Sequence, residues 1–522
     1  MTAAFLFSIT LAVTGGTKDV DPLIVQLKGK DAAQRLKAVM ALAELGPAAA
    51  SAVDALINAF EEKNEDLRLN AALALAKIGK KAVPALEKAL ASKDDDIRFY
   101  AVWSLGWIGP PAQATAPEVI KLLADPSDNV RRKAAFALGA INPEPEAACR
   151  ALVQAFQDKN VEVRKAAADA VGRFKEKALP VLKETLGAKD AETLIQALKA
   201  LEGVGPEARK VVPEVQVLFL IGDPKISQAA METLAKIGKD AIDSFREGLK
   251  SDRPETALLA VQGLAKIGPP AVPDLVDALA HPSVPVRRQA AAQLGTLRLS
   301  DRMVILGLGH ALKDKDREVV VSALRGLQML TGDVSGALPE LEAFAADPDV
   351  NIRRSAMQLV GRAGEKAIPM LRKGLKDADV SIRSTAAFSL QQLGPASKPA
   401  FDDLVEATRD VNVAVRRNAA LALAAIGPES LPHLTKMLTD GKDTQTQTTA
   451  MMGLTRLGAR AAPAVDALIA ALKAPTPVVR WTAANTLGAI GPDAKGAIPA
   501  LEAATKDGNP TVRNFATRAL AL

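Results

Sequence analysis

Apolar residues recur along this chain in blocks with a helical rather than an alternating period. Residues 66–79 read DLRLNAALALAKIG, 96–109 read DIRFYAVWSLGWIG, 414–427 read AVRRNAALALAAIG and 478–491 read VVRWTAANTLGAIG. Counted from the arginine of each block, positions +3, +4, +7 and +10 are Ala, Ala or Val, Leu and Ile or Leu. At about 100° per residue these positions share one face, which predicts a helix with a single buried stripe. Positions +6 and +8 flank the stripe and are mostly Ala or Gly, small enough to let neighbouring helices approach closely. Positions +2, +5 and +9 are predicted to point away from the core.

The arginine marks a register. It is Arg35, Arg68, Arg98, Arg131, Arg164, Arg287, Arg353, Arg383, Arg416, Arg480 and Arg513, and the same slot holds Leu194, Ser227, Ala257, Val320 and Gln447. These sixteen registers lie 30, 31 or 33 residues apart, and so constant a period means stacked units rather than separate globules. Each unit should hold two helices. The second starts near the arginine and stops at a glycine such as Gly46, Gly79, Gly109 or Gly491, a residue that adopts positive φ cheaply. The first opens at or near a proline such as Pro84, Pro273 or Pro499, where a missing N–H costs nothing. The predicted fold is all-α, a right-handed α-solenoid of about sixteen helical hairpins.

Composition supports helices packed on small side chains. Hydrophobic residues make up 48% of the 522, aromatics only 3%. The net charge of +6, from 66 Lys and Arg against 60 Asp and Glu, is too weak an excess to mark a nucleic-acid binder. Residues 3–14, AAFLFSITLAVT, are uncharged, too short to span a bilayer and long enough for a signal-peptide core, although no basic residue precedes Lys18. The expected organisation is an apolar segment 1–17 followed by one continuous solenoid, 18–522. No transmembrane span is expected. The expected location is periplasmic or secreted, with the cytoplasm as the alternative.

The string D-x-x-V-R-x-x-A-A-x-A-L-G-x-I-G resembles HEAT repeats, and among them the short HEAT-like repeats of phycobilin lyases, over residues 20–522. The resemblance implies that the second helix of each unit lines a concave face. HEAT proteins include scaffolds, transport receptors, lyases and DNA repair enzymes, so it does not select among functions.

An Asp stands four residues before the register at Asp31, Asp94, Asp190, Asp223, Asp316, Asp349, Asp379 and Asp443. It stands six before at Asp125, Asp158, Asp410 and Asp507. Acids there can cap a helix start or pair with an arginine of the adjacent unit, so the arginines are read as a structural ladder. The slots Leu194, Ser227 and Ala257 lack it, and that stretch is expected to be softer.

No chemistry-bearing constellation appears. His281, His310 and His433 fall in different repeats, which excludes a shared metal, and no cofactor motif is present. Cys149 reads as a small buried residue. The local contrast lies in the outward columns. Met40, Leu73, Tyr100, Trp103, Trp107 and Phe136 gather in the first four units and are the expected partner-binding residues. The middle units carry Asp169, Arg173, Lys199, Glu232, Lys236, Lys266, Arg325 and Arg362 there, and Phe388, Leu421 and Met452 form a weaker apolar patch further on. The expected function is a non-catalytic scaffold that binds a protein on its concave face. The alternatives are a bilin lyase-like or a nucleic-acid-binding HEAT protein.

Overall fold

The structure, a computed structural model, describes residues 19–522. The apolar run 3–14 lies outside the described residues. Those residues form helices, 3-10 turns and loops, with no strand among them. They fall into two compact units, one ending at Ile267 and one starting at Gly268, and each contains eight of the sixteen registers. Within each unit the chain is an all-α solenoid of helical hairpins.

In the first unit the second helices are Ala32–Leu45, Glu65–Ile78, Asp95–Ile108, Asp128–Ile141, Val161–Arg173, Ala191–Val204, Pro224–Ile237 and Pro254–Ile267. The partners that precede them are shorter, such as Val83–Ala89 and Leu179–Thr185, with proline in the first turn of each. In the second unit the same alternation runs from Val272–Asp277 to Pro510–Leu520. The glycines Gly46, Gly79, Gly109 and Gly491 at the expected helix stops have positive φ, for example 71° at Gly109 and 72° at Gly491. An alanine there would be strained, so where glycine stands it stops the helix at a set place.

The stripe +3, +4, +7, +10 is the core. In the unit of Arg131 it is Ala134, Ala135, Leu138 and Ile141, all fully buried. Small residues at +8 bring adjacent second helices into backbone contact. A Cβ on Gly139 would lie 2.9 Å from Ala170 Cα, and one on Gly295 would lie 2.6 Å from Gly326 Cα. Serine and threonine at +6 face the other flank, where the hydroxyl of Thr233 donates to Leu198 O of the preceding unit at 2.9 Å.

The +2 column does not point outward as expected. Tyr100 is 5% exposed, and Gln196, Asn418, Thr449 and Thr482 at the same offset are buried too. A stacked helix has a neighbour on each side, so burial extends past +6 to +2 on the flank that faces the preceding unit. Asn418 makes the contact explicit, with its amide 3.2 Å from Ser384 O.

One described stretch, 32–61, is long and apolar enough to cross a membrane by length and composition. It is not one rod, because it breaks at Gly46, φ 53°, into four shorter helical pieces.

Candidate functional site: an aromatic face and an arginine ladder

The acids at −4 and −6 do different work. All eight aspartates at −4 are N-caps whose carboxylates accept backbone N–H groups. Asp94 accepts from Asp96 N at 2.8 Å and Ile97 N at 3.3 Å. The acids at −6 hold the arginine of the preceding unit. Arg98 grips Asp125 through Nε at 2.7 Å and Nη2 at 2.9 Å, while its Nη1 donates to Ser92 O and Lys93 O. Arg131–Asp158, Arg287–Asp314, Arg353–Asp377, Arg383–Asp410 and Arg480–Asp507 repeat the fork. Arg35 pairs with Glu62, Arg68 with Asp96 and Arg164 with Glu192. Arg416 and Arg513 make no such pair; they donate to loop carbonyls, and Arg416 also to Gln445. Asp314 and Asp377 belong to the −6 set although the sequence reading passed over them.

The aromatic residues of the first four units form a connected cluster. Trp103 and Trp107 lie 4.4 Å apart between ring centroids, one helical turn from each other on Asp95–Ile108. Phe99 meets Trp103 at 5.4 Å, edge-on. Tyr100, placed with the outward set by sequence, is instead sealed by Phe60 at 5.4 Å and Phe99 at 4.9 Å, with the Arg68 guanidinium 5.5 Å from its ring. Burial pushes its hydroxyl pKa up. It supports the face from beneath.

The remaining five expected partner-binding residues are reachable. Met40 is 46% and Leu73 37% exposed, and Trp103, Trp107 and Phe136 are half-buried. Two residues that sequence reasoning missed complete the surface. Phe99 stands at +1, an offset left unassigned. Lys133 comes from the neighbouring helix Asp128–Ile141, and its Nζ sits 3.5 Å over the Trp103 ring and 5.4 Å over Phe99. The only sequence signal for it was position +2 of the next unit. Arg173 likewise covers Phe136 at 5.2 Å.

Burial, assisted by Arg132, pushes the Lys133 ammonium down to about 8 from its ordinary 10.5, while the Trp103 ring favours the charged form. The folded protein therefore holds fewer protons at this site than the unfolded chain between those two values. Stability is expected to rise as pH rises from about 8 to 10.5. Lys133→Met should flatten that part of a pH-dependent urea-unfolding series. An unchanged slope in the variant would exclude Lys133 as its source.

Part of the charged columns is satisfied internally. Lys266 pairs with Glu232, and Arg362 donates to Leu330 O at 2.6 Å and Gly332 O at 3.0 Å, closing a helix end. Phe388 and Met452 are exposed in the second unit, with Leu421 half-buried. Cys149 is fully buried and its thiol is pushed up to about 12 by burial. Among the described residues no three His, Cys, Asp or Glu side chains gather as metal ligands.

The family model for HEAT repeats matches the chain in nine segments, from 20–106 through 431–521. No curated protein matches it. Several solved structures are similar in fold. Yeast importin β (Kap95p) is 15% identical, with a TM-score of 0.39 over 96% of this chain and 80% of that one. Kap95p described with RanGDP is 14% identical, with a TM-score of 0.43 over 96% and 80%. The karyopherin Kap121p, bound to the extreme C-terminus of the phosphatase Cdc14p, is 11% identical, with a TM-score of 0.44 over 97% and 72%. The expectation of a periplasmic or secreted protein is withdrawn: the solved structures similar in fold are importin β and karyopherin Kap121p, one of them described in nuclear import complex assembly.

Proposed function

Because this chain belongs to the HEAT-repeat family, we propose that it is a non-catalytic scaffold that holds a protein partner against the second-helix face of its first unit. The observation that carries this reading is the Trp103–Trp107 pair with Lys133 laid over it. Two large rings on one rigid helix offer contact area at small entropic cost, and tryptophan is enriched among the residues that anchor protein interfaces. Met40, Leu73 and Phe136 extend the apolar surface across adjacent units. Lys133 adds a cation at its centre, so the fitting partner segment carries an apolar side chain beside a carboxylate.

The test is capture of partners from the native cell on immobilised full-length protein. Trp103→Ala/Trp107→Ala should lose at least about tenfold in recovery, as expected of a hot spot worth about 2 kcal/mol. Phe388→Ala/Met452→Ala, in the other unit, should recover the same partners as the unaltered protein. Equal recovery by both double variants would remove the aromatic face from the reading.

A further inference from the structure

Ten of the ladder arginines are followed by another repeat, and nine of them hold a carboxylate from it. Arg416 is the tenth. The residue six before the next register is Gly441 here, not an acid. Where that position fails elsewhere, at Ser92 and Ala188, an acid two before the register steps in, Asp96 for Arg68 and Glu192 for Arg164. At Arg416 that second position is Gln445, a neutral amide.

The guanidinium is nonetheless posed like its sisters. Nη1 donates to Asp410 O at 2.6 Å and Val411 O at 3.0 Å, and Nη2 to Gln445 Oε1 at 2.6 Å. Nε is buried with no partner. A buried N–H without an acceptor costs about 1–3 kcal/mol, and more when charged.

Beside it lies a cavity of about 610 Å³, lined by Arg416, Gln445, Arg409, His433, Lys436 and the chain around Asp443. That is the size of a small-molecule site. Three carboxylates reach the cavity, and each is engaged. Asp410 is held by Arg383 at 2.6 Å, Asp443 accepts from Thr446 N at 2.8 Å, and Asp440 accepts from Thr439 Oγ1 at 3.0 Å. Arg409 and Lys436 make no ion pair among the described residues.

We propose that this cavity binds a carboxylate, from a small organic acid or from a peptide. It takes Nε and Nη2 of Arg416 as Asp410 takes those of Arg383, and Gln445 swings aside. The site lies in the second unit and does not depend on the aromatic face.

The experiment is calorimetric titration of the full chain with succinate, with inorganic phosphate, and with an acetylated tripeptide bearing a free or an amidated C-terminus. Succinate or the free-acid peptide should bind, and the tighter of the two identifies the source. Gln445→Glu supplies the missing acid internally. It should raise the melting temperature without ligand and weaken the carboxylate by at least about tenfold, the worth of a charged hydrogen bond. Trp103→Ala/Trp107→Ala should bind succinate as the unaltered protein does, which separates this site from the scaffold reading. No binding of either carboxylate would overturn the proposal, as would equal binding to Gln445→Glu, phosphate binding as tightly as succinate, or a lower melting temperature for Gln445→Glu.

Discussion

Replacing Arg131 by alanine is expected to destabilise the protein by about 3–5 kcal/mol, the cost of breaking one side of a buried ion pair. Arg131 and Asp158 are among the most enclosed pairs of the ladder, with side chains 7% and 9% exposed. The substitution strands the Asp158 carboxylate and frees the carbonyls of Asp125 and Pro126, which Arg131 Nη1 now satisfies at 2.9 and 3.1 Å. Arg513→Ala is the control. It is the last register, exposed, and holds only loop carbonyls, so its loss should cost well under about 1 kcal/mol. Urea unfolding of the two variants measures the difference, and equal costs would show that the ladder does not carry stability. Acid should imitate the lesion. Burial alone would raise the Asp158 carboxyl, but the Arg131 pair and the Asn160 N–H outweigh it and hold it below its ordinary 3.8. Asp314, Asp410 and Asp507 are held down as well. A carboxyl lowered on folding contributes stability above its ordinary pKa and loses it as pH falls through the folded value. Stability should therefore fall steeply below about pH 4, and Arg131→Ala should show less of that fall.

The period, the helix stops and the core stripe were legible because each is a local device. Gly109 ends a helix whatever surrounds it, and Ala134, Ala135, Leu138 and Ile141 share a face by geometry alone. Tyr100 was misplaced because a helical wheel describes one helix with one core, whereas this helix is flanked by another unit on each side. Phe99 and Lys133 were missed for a related reason. Their meeting over Trp103 spans two units and follows from the close approach that Gly106 permits, where a Cβ would lie 3.1 Å from Ala137 Cα. The gap at Arg416 was hidden in the same way. Gln445 looks ordinary until Asp96 and Glu192 show what that position does for Arg68 and Arg164.

The stretch without register arginines leads to the second large effect, in Phe245→Ala. At Leu194, Ser227 and Ala257 the register arginine is missing, and the −6 positions that would answer the first two, Ile221 and Ser251, are not acids either. One loop is patched from outside the pattern, where Arg253 Nη1 donates to Ile221 O at 2.7 Å. Besides the Thr233–Leu198 hydrogen bond and the Lys266–Glu232 pair, rings pack these units together. Phe219 and Phe245 are fully buried and meet edge-on at 5.5 Å. Gly248 and Gly263 make room for them, because a Cβ on Gly263 would lie 2.2 Å from the Phe245 ring. Packing of this kind stabilises through a few large contacts, with no charged fork to tie one loop to the next. Backbone amides of Ala191–Ile267 should therefore exchange faster in the unaltered protein than those of Asp95–Arg173, by about tenfold or more, equivalent to about 1.4 kcal/mol in local opening. Removing the Phe245 ring should cost about 3–5 kcal/mol, with exchange accelerated across the whole stretch while Asp95–Arg173 stays protected. If both stretches exchange alike, the rings replace the ladder in full and the expectation of a softer region fails. If Phe245→Ala costs less than about 1 kcal/mol, the rings are not what holds these units together.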